Sequence, residues 1–365
     1  MYSIAVLEPN KLRLVEVPEP VPGPYEARIR TEAACLCNMT DRKLVEGHFP
    51  GVEQYPLLLG HESVGIVDAV GEKVRSFNVG DRVIGGLLLN TNDPRYASGW
   101  GGFSQYILAG DHRAMLADGV ADAAHGWFEV YEIMRTVPKT ISREDAVMLC
   151  TWREVYGGFG DFNLQAGDDI LVFGAGPVGL SFIKFGRLLG LNYIASVDLL
   201  PARRRMALEM GADDAFAPDD PARRRLALEM GADDAFAPDH PAVASLAQKR
   251  GKPFDAVIDA VGKEAIINAA LPLVKMAGSV CVYGVIDAPS IRLDKARGPY
   301  NFNLLVHQWP TRSREAAAQE PLCAWIESGK LSYREFISAE YPVAEIEQAF
   351  AYSKTGEPIK TLLRF

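Results

Sequence analysis

Between residues 174 and 179 the chain reads Gly174-Ala175-Gly176-Pro177-Val178-Gly179, and what flanks this run constrains the fold more than any other feature of the sequence. The apolar stretch Ile170–Phe173 precedes it and a helical run from Val178 to Leu189 follows. A G-x-G-x-x-G pattern by itself is weak, but between a strand and a helix it is what a dinucleotide pyrophosphate requires. Gly174 permits the tight turn, Gly176 lets the backbone approach the phosphates, and Gly179 lets helix and strand pack closely. Pro177 and Val178 open the helix, whose first N–H groups face the phosphates. Asp198 follows Ile194–Val197, 19 residues beyond Gly179. A carboxylate there accepts hydrogen bonds from ribose hydroxyls and repels a 2′-phosphate, so NAD is expected rather than NADP, with Arg203 stacked on adenine. The run Arg203-Arg204-Arg205 pulls the other way, since it can neutralise a phosphate, although most of a helical charge run is solvated surface.

The surrounding pattern sets the organisation. The first 150 residues hold short β-type runs broken by Gly and Pro, such as Ala27–Arg30, Ser63–Val67 and Asp81–Gly85, and read as a barrel-like β domain. From Asp169 onward apolar strands alternate with helices (Ile170–Phe173, Val178–Leu189, Ile194–Val197, then Ala256–Val261 and Ser279–Tyr283), the alternation of a doubly wound parallel sheet. The expected divisions are 1–151, 152–325 and a return to the first domain over 326–365, ending in the strand-like Ile359–Leu363.

Residues 201–220, PARRRMALEMGADDAFAPDD, are followed directly by PARRRLALEMGADDAFAPDH at 221–240; only Met206/Leu226 and Asp220/His240 differ. Two copies are too few for a self-supporting solenoid, so one is an insertion into a fold that needs a single copy. Looping out about 20 residues costs only about 2–3 kcal/mol by polymer scaling. The first copy, which keeps Arg203 close to Asp198, is expected in the native place, and the second is read as a duplication without function.

A net charge of −9 disfavours nucleic acid or an acidic membrane surface as partner, and no apolar stretch has the roughly 20 residues of a membrane span. A cytoplasmic protein acting on a small molecule is expected. Five scattered cysteines do not make a disulfide framework; Cys35, Cys281 and Cys323 read as buried small hydrophobes.

Three segments remain: Cys37-Asn38-Met39-Thr40-Asp41, Gly60-His61-Glu62 and Leu149-Cys150-Thr151. With the glycine fingerprint, Gly80-Asp81-Arg82-Val83, Gly101-Gly102-Phe103 and Pro358-Ile359-Lys360, they resemble the medium-chain zinc-dependent alcohol dehydrogenase family, including its polyol and sugar members such as the sorbitol and threonine dehydrogenases. The resemblance covers nearly the whole chain. It implies a GroES-like β-barrel catalytic domain, a Rossmann α/β domain and a cleft between them. It also implies a catalytic zinc held by Cys37, His61 and Cys150, with Glu62 as an alternative fourth ligand and Asp41 orienting His61. Two thiolates and an imidazole suit Zn²⁺ and leave a position for substrate. By the same resemblance Thr40 takes the proton, and Lys43 stands where many members carry a histidine that passes it to solvent. The family's Cys-x-Ser/Thr spacing is lengthened here to Cys37-x-x-Thr40, so either the loop bulges or the role of Thr40 changes. The lobe after Gly85 lacks the four cysteines of a structural zinc site, so one zinc per chain is expected.

The expected reaction is hydride transfer between a secondary alcohol and NAD, in a homo-oligomer, dimer or tetramer. Trp100, Trp152, Arg153, Glu154, His307, Trp309 and Arg312 suit a polyol, cyclitol or sugar stacked on aromatic rings. The segment carrying Asp111-His112-Arg113 and Ala124–Glu129 is longer than is usual in the family and is expected to cap the cleft or an oligomer edge. Two other readings are a zinc-free quinone or enone reductase of the same superfamily, and a non-catalytic relative that retains NAD affinity without turnover.

Overall fold

The computed structural model describes residues 1–216, 247, 250–286 and 288–365. The chain divides into two compact units, Met1–Arg153 with Glu315–Phe365, and Glu154–Arg314.

The first unit is built on β-strands: β1 (Tyr2–Glu8), β2 (Lys11–Glu16), β3 (Glu26–Leu36), β4 (Leu57–Leu59), β5 (Ser63–Val70), β6 (Arg82–Ile84), β7 (Ala97–Gly99), β8 (Tyr106–Gly110) and β9 (Arg135–Val137). The second contributes β10 (Asp169–Phe173), β11 (Tyr193–Val197), β12 (Asp214–Phe216), β13 (Phe254–Asp259), β14 (Val274–Val282) and β15 (Asn303–Val306). The chain then returns to the first unit with β16 (Ile337–Pro342) and β17 (Lys360–Arg364).

In the first unit one sheet runs β2-β1-β4-β7 and another β16-β17-β3-β5-β6-β9, with β8 also paired to β3. Two apolar clusters fill the space, one around Ile29, Val67, Val83 and Ile107, the other around Ile4, Leu36, Leu59, Phe103 and Leu363. This is the GroES-like architecture expected of the β-rich part. The long segment after β8 packs on the same unit. Tyr131 lies on Gly110, where a Cβ would come within 2.0 Å of its ring, and donates its hydroxyl to Glu26 at 2.7 Å.

The second unit has the parallel order β12-β11-β10-β13-β14-β15 among the described residues. Every residue of β10 is buried, as a strand covered on both faces requires. The order reverses at β10, whose neighbours are β11 and β13, and this switch point is where open α/β sheets bind ligands. The Rossmann arrangement is therefore present. The first copy of the repeat supplies a helix, Pro201–Glu209, and the edge strand β12, while residues 217–220 and the second copy, 221–240, lie outside the described residues. No described helix is long and apolar enough to cross a membrane.

Candidate active site

His61 is placed by two glycine contacts. Gly60 has φ +109, and a Cβ on it would sit 2.3 Å from the ring of Phe103. Gly102 donates its backbone N–H to the Gly60 carbonyl at 2.6 Å. Gly60-His61-Glu62 thus rests on Gly101-Gly102-Phe103, and the two motifs are halves of one packing unit. Cys37 leaves the end of β3, and its backbone N–H donates to Asp41 Oδ2 at 2.8 Å. The other Asp41 oxygen lies 3.1 Å from His61 Nδ1 in an ion-pair contact, so one buried carboxylate meets two of the expected ligands. The added residue in Cys37-x-x-Thr40 is absorbed in a turn at Asn38–Met39, ahead of the helix Thr40–Glu46. Thr40 and Lys43 are both buried on that helix.

Donor atoms of Cys37, His61 and Glu62 lie within 4.8 Å of one another. Cys150 is not in this group: its Sγ donates to the carbonyl of Ser63 at 3.7 Å. Burial pushes the Cys37 thiol up, but the hydrogen bond and charge of His61 outweigh it and leave the thiol below its ordinary value. Burial by itself lowers His61; the charge and hydrogen bond of Asp41, with those of Cys37, lift the imidazole well above its usual value. Cys35, Cys281 and Cys323 show the opposite behaviour, each pushed up chiefly by burial, Cys323 to about 11. Cys37 alone among these four is an activated sulfur.

Lys360 joins the site from the far end of the chain. Its ammonium donates to Leu36 O at 3.5 Å and to both oxygens of Glu62, at 2.6 Å to Oε1. The side chains are 2% and 6% exposed, so this is a buried ion pair. The register explains it. The strand β17 runs antiparallel to β3 with Thr361 opposite Leu36, which carries Lys360 to the level of Cys37. Asn38 Nδ2 donates to the Ile359 carbonyl at 3.0 Å and ties the Cys37 loop to the same strand. The only sequence signal for Lys360 was its place in Pro358-Ile359-Lys360.

Trp152 and Arg153 are corrected from substrate contacts to interior residues. Trp152 is fully buried edge-on to Phe336 at 5.4 Å, and Arg153 donates to Leu149 O, Ile133 O and Gln319 Oε1. His307 packs on Phe162, and Trp309 lies under the Arg312 guanidinium at 5.8 Å. Trp100 does reach the site, with its ring centroid 5.7 Å from that of His61.

In the second unit Gly174 has φ +92, and a Cβ on Gly179 would lie 1.7 Å from Gly174 O, so both positions demand glycine. A Cβ on Gly176 would meet nothing within 4 Å, which leaves an open face at the start of the helix Pro177–Leu188. Asp198 accepts from Ala175 N at 2.7 Å and Leu200 N at 2.9 Å. Burial raises its carboxyl, against the pull of those two N–H groups and of Arg203 and Arg204. Arg204 donates to the carbonyls of Asp198 and Leu199, and Arg203 is buried. Across the switch point Asp259 accepts from the backbone of Val261, Gly262 and Lys263, fixing the loop whose Val261 side chain approaches Gly174.

Comparison with known proteins places both parts of the chain in known domain families. Residues 23–118 match the alcohol dehydrogenase GroES-like domain, and residues 230–359 match the zinc-binding dehydrogenase domain. A sorbitol dehydrogenase of Halalkalibacterium halodurans is 25% identical over 95% of this chain and 94% of its own. An NADP-dependent isopropanol dehydrogenase of Clostridium beijerinckii is 33% identical over 59% of this chain and 61% of its own. The solved structure of the alcohol dehydrogenase TADH from Thermus sp. ATN1 superposes with a TM-score of 0.78 over the whole of both chains at 23% identity, a likeness of fold. With two domain models that together span more than half of its length, the chain belongs to the zinc-type medium-chain alcohol dehydrogenase family and is an oxidoreductase of that class.

The residues present fit the metal this family implies. Sulfur, imidazole and carboxylate donors of Cys37, His61 and Glu62 converge, and His61 holds the Cys37 thiol below its ordinary value, a donor set that suits Zn²⁺.

Proposed function

We propose that this protein oxidises secondary alcohols of the polyol, cyclitol or sugar type, using one zinc per chain and NAD. The observation that carries the reading is the meeting of Cys37, His61 and Glu62 in one partly buried group, beside Asp41. Cys37, His61 and Cys150 would hold the metal, with Glu62 restrained by Lys360 as an exchangeable donor. When bound, zinc supplies Lewis acidity to the alcohol oxygen, and the nicotinamide accepts the hydride. The chain's own groups do the rest. Asp41 fixes the His61 ring through Nδ1, leaving Nε2 as the donor. Thr40, beside the Cys37 turn, takes the hydroxyl proton, and Lys43 one helical turn on continues the path to solvent.

NAD is preferred because Asp198, which accepts from two backbone N–H groups among the described residues, has about four carboxylate acceptor positions with which to meet ribose hydroxyls. Its charge repels a 2′-phosphate, and Arg204, engaged with two carbonyls, is occupied elsewhere. The relative named as NADP-dependent makes this a point to test. The experiment is metal analysis together with coenzyme reduction over polyols, cyclitols, sugars and long-chain aliphatic alcohols. The proposal expects one zinc per chain and NADH formation with the hydroxyl-rich substrates. Two tightly bound zinc ions, faster reduction of NADP, or a preference for aliphatic alcohols contradicts the corresponding part.

A further inference from the structure

Trp100 carries a strained backbone beside a metal-site residue. Its φ is +65, in the left-handed region that bulky residues avoid, and Gly101 follows at +63. The conformation is held from both sides: Trp100 O accepts from Leu88 N at 2.8 Å, Gly101 N donates to Leu58 O at 3.2 Å, and Trp100 forms an isolated bridge to Leu59. Leu59 immediately precedes Gly60-His61, so the strain is maintained at the base of the His61 turn. Its effect is to set the half-buried indole between two rings. The His61 imidazole lies tilted by 59° at 5.7 Å, and Phe49 stands edge-on at 5.4 Å and 86°. Strain of this kind persists where the surroundings over-determine it, and it gathers at functional sites.

We propose that Trp100 is a specificity-determining residue: the strained turn holds its indole as an apolar wall beside His61, selecting secondary alcohols whose carbinol carbon belongs to a ring over open-chain alcohols. The inference rests on the zinc-alcohol reading above and narrows its substrate class to cyclic polyols. The wall is flat and rigid, with two side-chain torsions and an aromatic neighbour on its edge. A ring lays an extended C–H face against such a surface at little conformational expense, while its hydroxyl turns to the metal position that Cys37 and His61 would hold. A freely rotating chain gains less contact and loses more entropy.

The test compares wild type with Trp100→Phe, Trp100→Ala and Trp100→Gly, using cyclohexanol against 2-propanol and a cyclitol against a linear hexitol. The expected result is that the cyclic-to-linear ratio of kcat/KM falls by about tenfold or more in Trp100→Ala, mainly through KM, and by less in Trp100→Phe. Zinc content serves as the control for an intact site. Titration with cyclohexanol should quench indole emission in the wild type more than in Trp100→Phe. Trp100→Gly and Trp100→Ala remove the same ring, but only glycine is relaxed at φ +65, so the glycine variant should melt at the higher temperature. A substrate ratio unchanged within about twofold overturns the proposal, as does a glycine variant less stable than the alanine one. If the wild type oxidises no alcohol of either kind, the underlying functional reading has failed; if it oxidises them and only the ratio is unmoved, the role of Trp100 alone has failed.

Discussion

Replacing Lys360 by methionine keeps the length and apolar stem of the side chain and deletes only the ammonium. Glu62 is 6% exposed, and one of its oxygens is 2.6 Å from that ammonium, so the stranded carboxylate has almost no access to water. Breaking a buried pair by removing one partner costs about 3–5 kcal/mol, whereas exchanging both for apolar groups is close to neutral. Lys360→Met should therefore destabilise the metal-free first unit by about 3–5 kcal/mol, and adding Glu62→Leu should recover at least about 2 kcal/mol of it. Urea unfolding followed by tryptophan emission suits the measurement, because Trp100, Trp127, Trp152 and Trp325 lie in that unit and only Trp309 in the other. Burial would lower Lys360, but the charge of Glu62, helped by Cys37 and Cys35, raises it above the ordinary 10.5. A raised lysine stabilises fully below its unfolded value and loses that stabilisation as pH climbs through the folded one. The gap between wild type and variant should therefore be flat from about pH 7 to 9 and narrow only above the ordinary lysine range. Zinc should stabilise the single variant more than the wild type, since Glu62 is released as a donor. A loss under about 1 kcal/mol, or a double variant no better than the single, refutes the argument.

Four other outcomes follow from the same geometry. Gly179→Ala forces a Cβ to 1.7 Å from Gly174 O and should abolish dinucleotide binding in a calorimetric titration while lowering the melting temperature. Asp198→Ala should lower the NAD-to-NADP ratio of kcat/KM by about tenfold or more; an unchanged ratio removes Asp198 from coenzyme choice. Cys150→Ala should weaken zinc binding by more than about tenfold in a chelator competition, and unchanged affinity would give the third ligand position to Glu62. Deleting residues 221–240 should leave the NAD dissociation constant unchanged, and a large loss of affinity would show that the second copy belongs to the coenzyme domain.

What was legible in the sequence was local. Ile170–Phe173, the glycines and Asp198 lie within 30 residues, and each carries its own reason for being that residue, so the coenzyme side of the fold followed from one stretch of chain. Cys37 and His61 were legible through the motifs that carry the family resemblance, and the structure shows their neighbours Asp41 and Gly60 packed and bonded around them. The Glu62–Lys360 pair spans 298 residues and depends on the register of β17 against β3, which no short-range pattern encodes. Trp152 and Arg153 were misplaced for the complementary reason. They lie two and three residues after Cys150 on one helix, but successive residues of a helix point about 100° apart, so closeness in sequence to an expected ligand does not place a side chain in the site, and both are buried in the interior instead. The ring contact between Trp100 and His61 needed the strained turn at residues 100–101, which the sequence announced only as a tryptophan before two glycines.

The most direct test of the central claim is the rate of NADH formation from a cyclitol, followed through zinc removal with a chelator and stoichiometric zinc return. The account predicts activity that disappears with the metal, returns at one zinc per chain, and cannot be restored in Cys37→Ser. Undiminished turnover by metal-free protein, or full zinc-dependent activity in Cys37→Ser, would contradict it.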